Sequence, residues 1–268
     1  MNEGEQTIIV VKVGSSTLTR QGTNGDTEID LGVMQSITSA IARAINEGLA
    51  RFVLVSSGAI ELGKREIDSF SRENPVKCAA AAAIGQPKLM TWFGSLFELA
   101  GIRGVGQGLY EGRNFLESRH SLREVIVEVL ASGNVFIVNE NDVVTFQEIL
   151  NLSKFSDNDQ LAFCLAELLD ARLLVFLTDR DGFEQAGNLV AELPLSRIPE
   201  AIRYCSKHNS GTGGMASKLE WGGKAAKAGI PVKILNGKNP LTCQQPLFFL
   251  DRIGPVRGTY IRPASDTR

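Results

Sequence analysis

Leu173-Leu-Val-Phe-Leu177 is an unbroken apolar run, and Thr178-Asp179 follows it at once. A short apolar stretch that stops at polar residues describes a strand buried on both faces, as at the centre of a parallel sheet. Outward from it, Ile8 to Val13, Phe52 to Val55, Val135 to Val138 and Val232 to Leu235 are further strand-like runs, separated by longer segments of helical period. That alternation predicts an α/β fold, a mainly parallel sheet covered by helices on both faces. A chain of 268 residues with no repeat, linker or low-complexity segment is expected to form a single domain over 1–268.

The helical segments carry their own punctuation. Asp30 is placed to cap a helix whose apolar residues Met34, Ile37, Ile41 and Ile45 recur every three or four positions, with Gly48 as its stop. Ala79 to Ala100 is helix-prone, but Pro87 lacks an amide proton and clashes with the preceding turn, so two helices or one kinked helix are expected. Ile102 to Gln107 reads as a weak strand. Ser118 is expected to cap a helix carrying Leu122, Val125, Ile126 and Val129, and Asp157 one that runs through Leu169. From Leu247 to Ile261, residues around Gly254-Pro255 predict a hairpin at the sheet edge.

Polar and glycine residues gather just after the predicted strands: Gly14-Ser15-Ser16, Ser56-Ser57-Gly58, Asn139-Glu140-Asn141-Asp142, Thr178-Asp179 and Asn236-Gly237. In an open parallel sheet the ligand crevice lies at the carboxyl ends of the strands, so these clusters share one rim. Gly211-Thr-Gly-Gly-Met-Ala-Ser-Lys218 then leads into the helical stretch Leu219 to Ala228. Free backbone amides, a helix N-terminus and the Lys218 ammonium converge there, as in a phosphate cradle. Lys12 lies inside the first strand and is expected to emerge at the rim, where with Lys218 it can grip a polyphosphate. Lys154-Phe-Ser-Asp157-Asn158-Asp159 opens a helix with more polar groups than a cap requires. Asp159 is a candidate to orient the lysines and Asn158 to bond a ligand. Gly58-Ala-Ile-Glu-Leu-Gly63-Lys64 imitates a P-loop, but Arg65 stands where a magnesium-binding hydroxyl belongs; Lys64 and Arg65 are read as solvated helix charges.

Composition narrows the field. A net charge of -2 gives no basic surface for nucleic acid. The polar, acidic start from Met1 to Gln6 is unlike a secretory signal, and no apolar run is long enough for a bilayer, so a cytoplasmic protein is expected. Cys78, Cys164, Cys205 and Cys243 are too scattered for a disulfide framework or a zinc site and read as small core residues or inert thiols. His120 and His208 have no partner motif.

Taken in order, Val11-Lys-Val-Gly-Ser15, Val55-Ser-Ser-Gly-Ala-Ile60, Asn139-Glu-Asn-Asp142, Asp157-Asn-Asp159, Leu177-Thr-Asp179 and Gly211-Thr-Gly-Gly-Met215 with Lys218 resemble the glutamate 5-kinases of the amino acid kinase family. The resemblance covers residues 7 to about 260 and implies a three-layer α/β/α sandwich. It implies ATP-dependent phosphorylation of the γ-carboxylate of L-glutamate, the first step of proline biosynthesis. Lys12 and Lys218 match the groups that neutralise the transferring phosphoryl group, and Asp159 the one that holds them. Ser57, Gly58, Asp142 and Asn158 match the glutamate site; Gly14, Thr178, Asp179 and the run Thr212, Gly213, Gly214, Met215, Ala216 and Ser217 match the ATP site. Residues up to about 170 would thus serve mainly glutamate and those from about 171 mainly ATP. Mg2+ is implied as an ion carried on the nucleotide phosphates, without a protein ligand.

Asp142 offers a carboxylate to a free α-amino group, which favours glutamate over acetylglutamate. The resemblance also implies a homo-oligomer, dimer or tetramer, and glutamyl phosphate reductase as the downstream partner. The pattern departs at Ser156, where the glutamate kinases have glycine, at Pro87, and after Gly182, where Tyr-Thr-x-Asp-Pro is absent. The C-terminal PUA domain of many bacterial members is not expected. Another carboxylate or phosphate acceptor, and a non-catalytic sensor of nucleotide or amino acid, are the alternatives.

Overall fold

The computed structural model describes residues 7–23, 27–144, 157–207, 214–239 and 257–264. Strand β1 (Ile8–Val13) is followed by the one-turn helix α1 (Ser15–Leu18), the hairpin strands β2 (Thr19–Gln21) and β3 (Thr27–Ile29), helix α2 (Leu31–Asn46) and β4 (Arg51–Ser56). Then come α3 (Ala59–Gly63), α4 (Pro75–Leu99), β5 (Val105–Tyr110), α5 (Gly112–Ala131) and β6 (Val135–Glu140). The later elements are α6 (Asn158–Leu168), β7 (Leu173–Thr178), the short strands β8 (Glu184–Gln185), β9 (Asn188–Leu189) and β10 (Glu192–Leu193), α7 (Ile198–Lys207), α8 (Met215–Lys227), β11 (Val232–Asn236) and β12 (Gly258–Ile261).

Eight strands form one sheet in the order β10-β12-β11-β7-β1-β4-β6-β5. From β11 to β5 every pairing is parallel; β12 pairs antiparallel with β11, and β10 pairs parallel with β12. Chain order reverses direction at β1, whose neighbours β4 and β7 lead off to opposite sides. This is the switch point at which an open α/β sheet forms a crevice.

Alternate residues of each strand face opposite helical layers, which follows from the two-residue period of a strand. Val10, Val53, Val55, Phe136, Val138, Leu174, Phe176, Val232 and Ile234 pack with α5, α6, α7 and α8. Ile9, Val11, Val13, Leu54, Ile137, Val175, Leu177 and Leu235 pack with α2 and α4. The protein is therefore an α/β/α sandwich, as the strand runs imply. No helix among the described residues is long and apolar enough to cross a membrane.

Local signals behave as expected at several ends. Asp30 accepts the Val33 amide at the start of α2, and Gly48 turns the chain beyond its end with φ +69°. Of the two readings of Pro87, the structure has the single helix: α4 runs through the proline, with Ala81 and Ala82 buried before it and Leu89, Phe93 and Phe97 after it. Two expectations need correction. Ser118 lies within α5, with its hydroxyl turned back to the Asn114 carbonyl; buried Phe115 extends the apolar face, so the helix starts at Gly112. The weak strand lies at Val105–Tyr110, where Gly106 and Gly108 leave room for the rings of Phe136 and Tyr110. The predicted terminal hairpin is described only in its last part, β12; residues 247–256 lie outside the described residues.

Candidate active site

Lys12 continues the Val10 face of β1, the face covered by α6 and α8. That parity brings a lysine from the first strand against Asp159 in the first turn of α6 and Lys218 in the first turn of α8. The Lys12 ammonium lies 2.8 Å from Asp159 Oδ1, and that of Lys218 lies 3.2 Å from Asp159 Oδ2. Asp159 is 1% exposed, and Lys12 and Lys218 are 7% and 6% exposed. Lys12 thus does not project freely at the rim; it is buried because its charge has a partner. Burial and the nearby Lys12 charge hold the Lys218 ammonium below the usual lysine range, against the opposing pull of Asp159 and Asp157. Two cations share one anion, leaving an excess of positive charge suited to a phosphoryl group.

The framework holding them is a helix cap that also bonds the first turn of a second helix. Asp157 accepts the amides of Asp159 and Gln160 at 3.0 and 3.1 Å, starting α6, and its other oxygen accepts the Ser217 hydroxyl in the first turn of α8. Two helix N-termini, positive ends of their dipoles, are thereby tied together beside the lysines. Gly214 stands at the N-cap of α8, with Met215 and Ala216 in the first turn. Thr212 and Gly213 lie outside the described residues, as do Lys154 and Ser156.

On the other side of β1, Asn158 Nδ2 donates to Ser57 Oγ at 3.0 Å and to Asn139 Oδ1 at 2.9 Å. Asn139 Nδ2 donates to Gln86 Oε1 on α4, also at 2.9 Å. Gly58 has φ +115°, a left-handed turn that lets α3 begin directly after Ser57. Asp142 sits in the turn after β6, its amide on the Glu140 carbonyl at 3.0 Å, and is half-buried.

At the switch point, Gly14 ends β1 with its amide directed at the Leu177 carbonyl, 3.5 Å away. A Cβ there would lie 3.7 Å from the Lys12 ammonium, so glycine keeps the approach to that cation open. Thr178 Oγ1 donates to Asp179 at 3.2 Å. Next to them the Gly237 amide bonds the Thr178 carbonyl, and a Cβ on Gly237 would come within 2.6 Å of Thr17.

The imitation P-loop does something else. Lys64 pairs with Glu61 at 2.6 Å, Arg72 reaches the same carboxylate, and Arg65 lies 3.8 Å from Glu28. Burial pushes the Cys164 thiol up to about 11, which keeps it protonated and unreactive near neutral pH.

Gln86 and the structural role of Asn139 escaped the sequence reading. The available signal was Gln86, the first polar side chain after the apolar run Cys78 to Ile84.

A parallel sheet whose switch point carries paired buried lysines has the construction of a phosphoryl-transfer site. The chain belongs to the amino acid kinase family, whose model matches residues 7–236. It is 39% identical to the glutamate 5-kinase of Geobacter sulfurreducens over 249 residues, which make up 87% of this chain and 62% of that protein. It thus spans a little under two thirds of that relative's length. The glutamate 5-kinase of Listeria welshimeri is 32% identical, the match covering 87% of this chain and 86% of that one. Among solved structures, carbamate kinase from Giardia lamblia bound to AMP-PNP has a TM-score of 0.64 at 16% identity, over 96% of this chain and 99% of that chain.

Proposed function

We propose that the protein transfers the γ-phosphoryl group of ATP to the γ-carboxylate of L-glutamate, giving L-glutamyl 5-phosphate and ADP, as the entry to proline biosynthesis in the cytoplasm. The observation that carries this reading is the Lys12–Asp159–Lys218 cluster, which adjoins the Ser57–Asn158 pair through the consecutive residues Asn158 and Asp159. It gains weight from relatives named glutamate 5-kinase.

The chemistry asks for charge control more than for covalent assistance. An oxygen of the substrate carboxylate, already deprotonated near neutral pH, forms a bond to the γ-phosphorus while the bond to the bridging oxygen of ADP breaks. Two like charges about 4 Å apart repel by roughly 4 kcal/mol at an effective dielectric near 20, and the reactants carry several. Lys12 and Lys218 offset that repulsion, and Asp159 fixes where their ammonium groups stand. Ser57 and Asn158 hold the acceptor, Asp142 receives its α-ammonium group, and Gly58 shapes the turn between them. Gly14, Thr178, Asp179 and the run from Thr212 to Ser217 hold the nucleotide.

Among the described residues no cluster of three or more acids, histidines or cysteines can hold a metal, and both oxygens of Asp159 already face lysines. Mg2+ would ride on the phosphates of ATP, where it would supply further neutralisation. In this reading the part up to about residue 170 serves the acceptor and the part from about 171 the nucleotide, within a single domain that forms a homo-oligomer. Its acyl phosphate product passes to glutamyl phosphate reductase.

Trapping with hydroxylamine tests the reaction directly: glutamate and ATP yield γ-glutamyl hydroxamate, and acetylglutamate yields far less. Absence of hydroxamate above background with glutamate, or a strong preference for acetylglutamate, would overturn the assignment. Replacing Lys218 with Ala lowers turnover far more than it weakens glutamate binding.

A further inference from the structure

The amide groups around Asn139 are oriented by a backbone donor, and this fixes what the last of them can do. The Glu140 amide can only donate. It gives hydrogen bonds to Asn139 Oδ1 at 2.9 Å and Asn158 Oδ1 at 3.2 Å, so both those atoms are acceptors and both Nδ2 groups are donors. Asn139 Nδ2 therefore occupies Gln86 Oε1, which turns Gln86 Nε2 into a donor. That Nε2 is buried and has no hydrogen-bond partner among the described residues, on a residue only 7% exposed. A buried amide donor without a partner is costly and rare, and calls for an acceptor that arrives with a ligand.

Its place identifies the ligand atom. Gln86 is fixed on α4 by the residue before it: a Cβ at Gly85 would fall 1.7 Å from the Ala59 carbonyl oxygen of α3, so the helices touch through their backbones. Asn139 is the penultimate residue of β6, two strands from Lys12 in the order β1-β4-β6, roughly 10 Å at about 4.8 Å per strand. The reacting carboxylate must lie at the lysines, so the Gln86 donor stands towards the opposite end of the acceptor. In glutamate the two carboxyl carbons are four bonds of about 1.5 Å apart. A carboxylate accepts only, which suits an oriented N–H donor.

We propose that Gln86 is a specificity-determining residue that donates a hydrogen bond from Nε2 to the non-reacting α-carboxylate of the acceptor. The proposal rests on the glutamate kinase reading and deepens it. Gln86 acts on acceptor binding and selection, and leaves phosphoryl transfer to the lysines. Asn139 is its positioning residue, since it holds the amide in the donor orientation.

The test compares L-glutamate with its α-carboxamide, L-isoglutamine, which keeps the γ-carboxylate and loses the α-carboxylate, in hydroxamate assays at pH 8.5. The variant Gln86→Glu keeps an oxygen acceptor for Asn139 but sets a carboxylate against the substrate's. Expected are a KM for glutamate raised at least tenfold, a KM for ATP within twofold of wild type, and a kcat/KM ratio of glutamate to isoglutamine reduced at least tenfold. Gln86→Met, which cannot donate, reduces the same ratio if the first variant does not fold. Equal losses for both acceptors, or a rise in KM for ATP matching that for glutamate, would overturn the role of Gln86 while leaving the kinase reading intact. A wild-type protein that phosphorylates neither acceptor defeats both at once.

Discussion

Replacing Asp159 with Asn keeps the shape of the side chain and removes the one charge that both lysines share. The Lys–Asp contacts, at 2.8 and 3.2 Å, each correspond to roughly 5–6 kcal/mol of attraction at an effective dielectric near 20. Much of that is offset by the cost of taking the charges out of water. Breaking a buried pair by deleting one partner costs about 3–5 kcal/mol, so the variant should lose that much stability in urea at pH 7, with an unchanged m-value.

The pH dependence has a definite sign. Lys218 already releases its proton more easily than a free lysine because of burial and Lys12, and without Asp159 it does so more easily still. Between its lowered folded pKa and the ordinary value of 10.5, the unfolded chain binds more protons, so the stability of the variant rises with pH and part of the deficit is recovered. Turnover, followed as γ-glutamyl hydroxamate, should fall about 100-fold or more, the usual effect of losing a preorganised charge-stabilising group. A variant within threefold of wild-type kcat and within 0.5 kcal/mol of its stability, roughly the scatter of a neutral surface change, would refute the view that Asp159 organises the two cations.

Two further outcomes follow from single observations. In the free protein Lys218 deprotonates below 10.5, so kcat/KM for ATP should decline on the alkaline side before that value is reached; a profile flat to pH 10.5 would remove Lys218 as the charged group. Gly85→Ala should destabilise by about 2 kcal/mol or more in chemical denaturation, because the helix-propensity gain of about 1 kcal/mol is outweighed by a methyl group driven into the α3 backbone; unchanged stability would show that the helices separate freely.

The architecture was legible wherever a local pattern and the tertiary environment agree. Leu173–Leu177 is apolar throughout because both faces are covered, and Ile8–Val13 has its expected bounds. Asp30 and Asp157 cap as their positions suggest, since the capping bond itself is made to the helix's own first turn. Misreadings arose where packing decides. Buried Phe115 extends α5 upstream of Ser118, the residue that a local capping signal picks out. The lysines and Asp159 were legible as candidates. Their contact depends on which face of β1 Lys12 occupies and which helices cover that face, and neither can be read without knowing the strand order. Gln86 was harder still, for its chemistry exists only through a bond to Asn139, a residue 53 positions away.

The sheet also explains why the site separates into a charged part and an amide part. Along β1, residues of the Val10 parity face α6 and α8, so Lys12 comes under the helix N-termini that carry Asp159 and Lys218. Along β6, Asn139 has the parity of Ile137, which faces α2 and α4, and it therefore meets Gln86 instead. One strand interior sets a cation beneath one helical layer while another sets an amide beneath the opposite layer. Asn158 joins them because it starts α6 at the strand ends, where its amide reaches Ser57 and Asn139 together. An acceptor lying across the ends of β1, β4 and β6 would meet positive charge at one end and oriented hydrogen-bond donors at the other. A molecule with two carboxylates, one to react and one to be recognised, satisfies both ends, whereas a carboxylate with an apolar tail would leave the buried Gln86 donor without a partner.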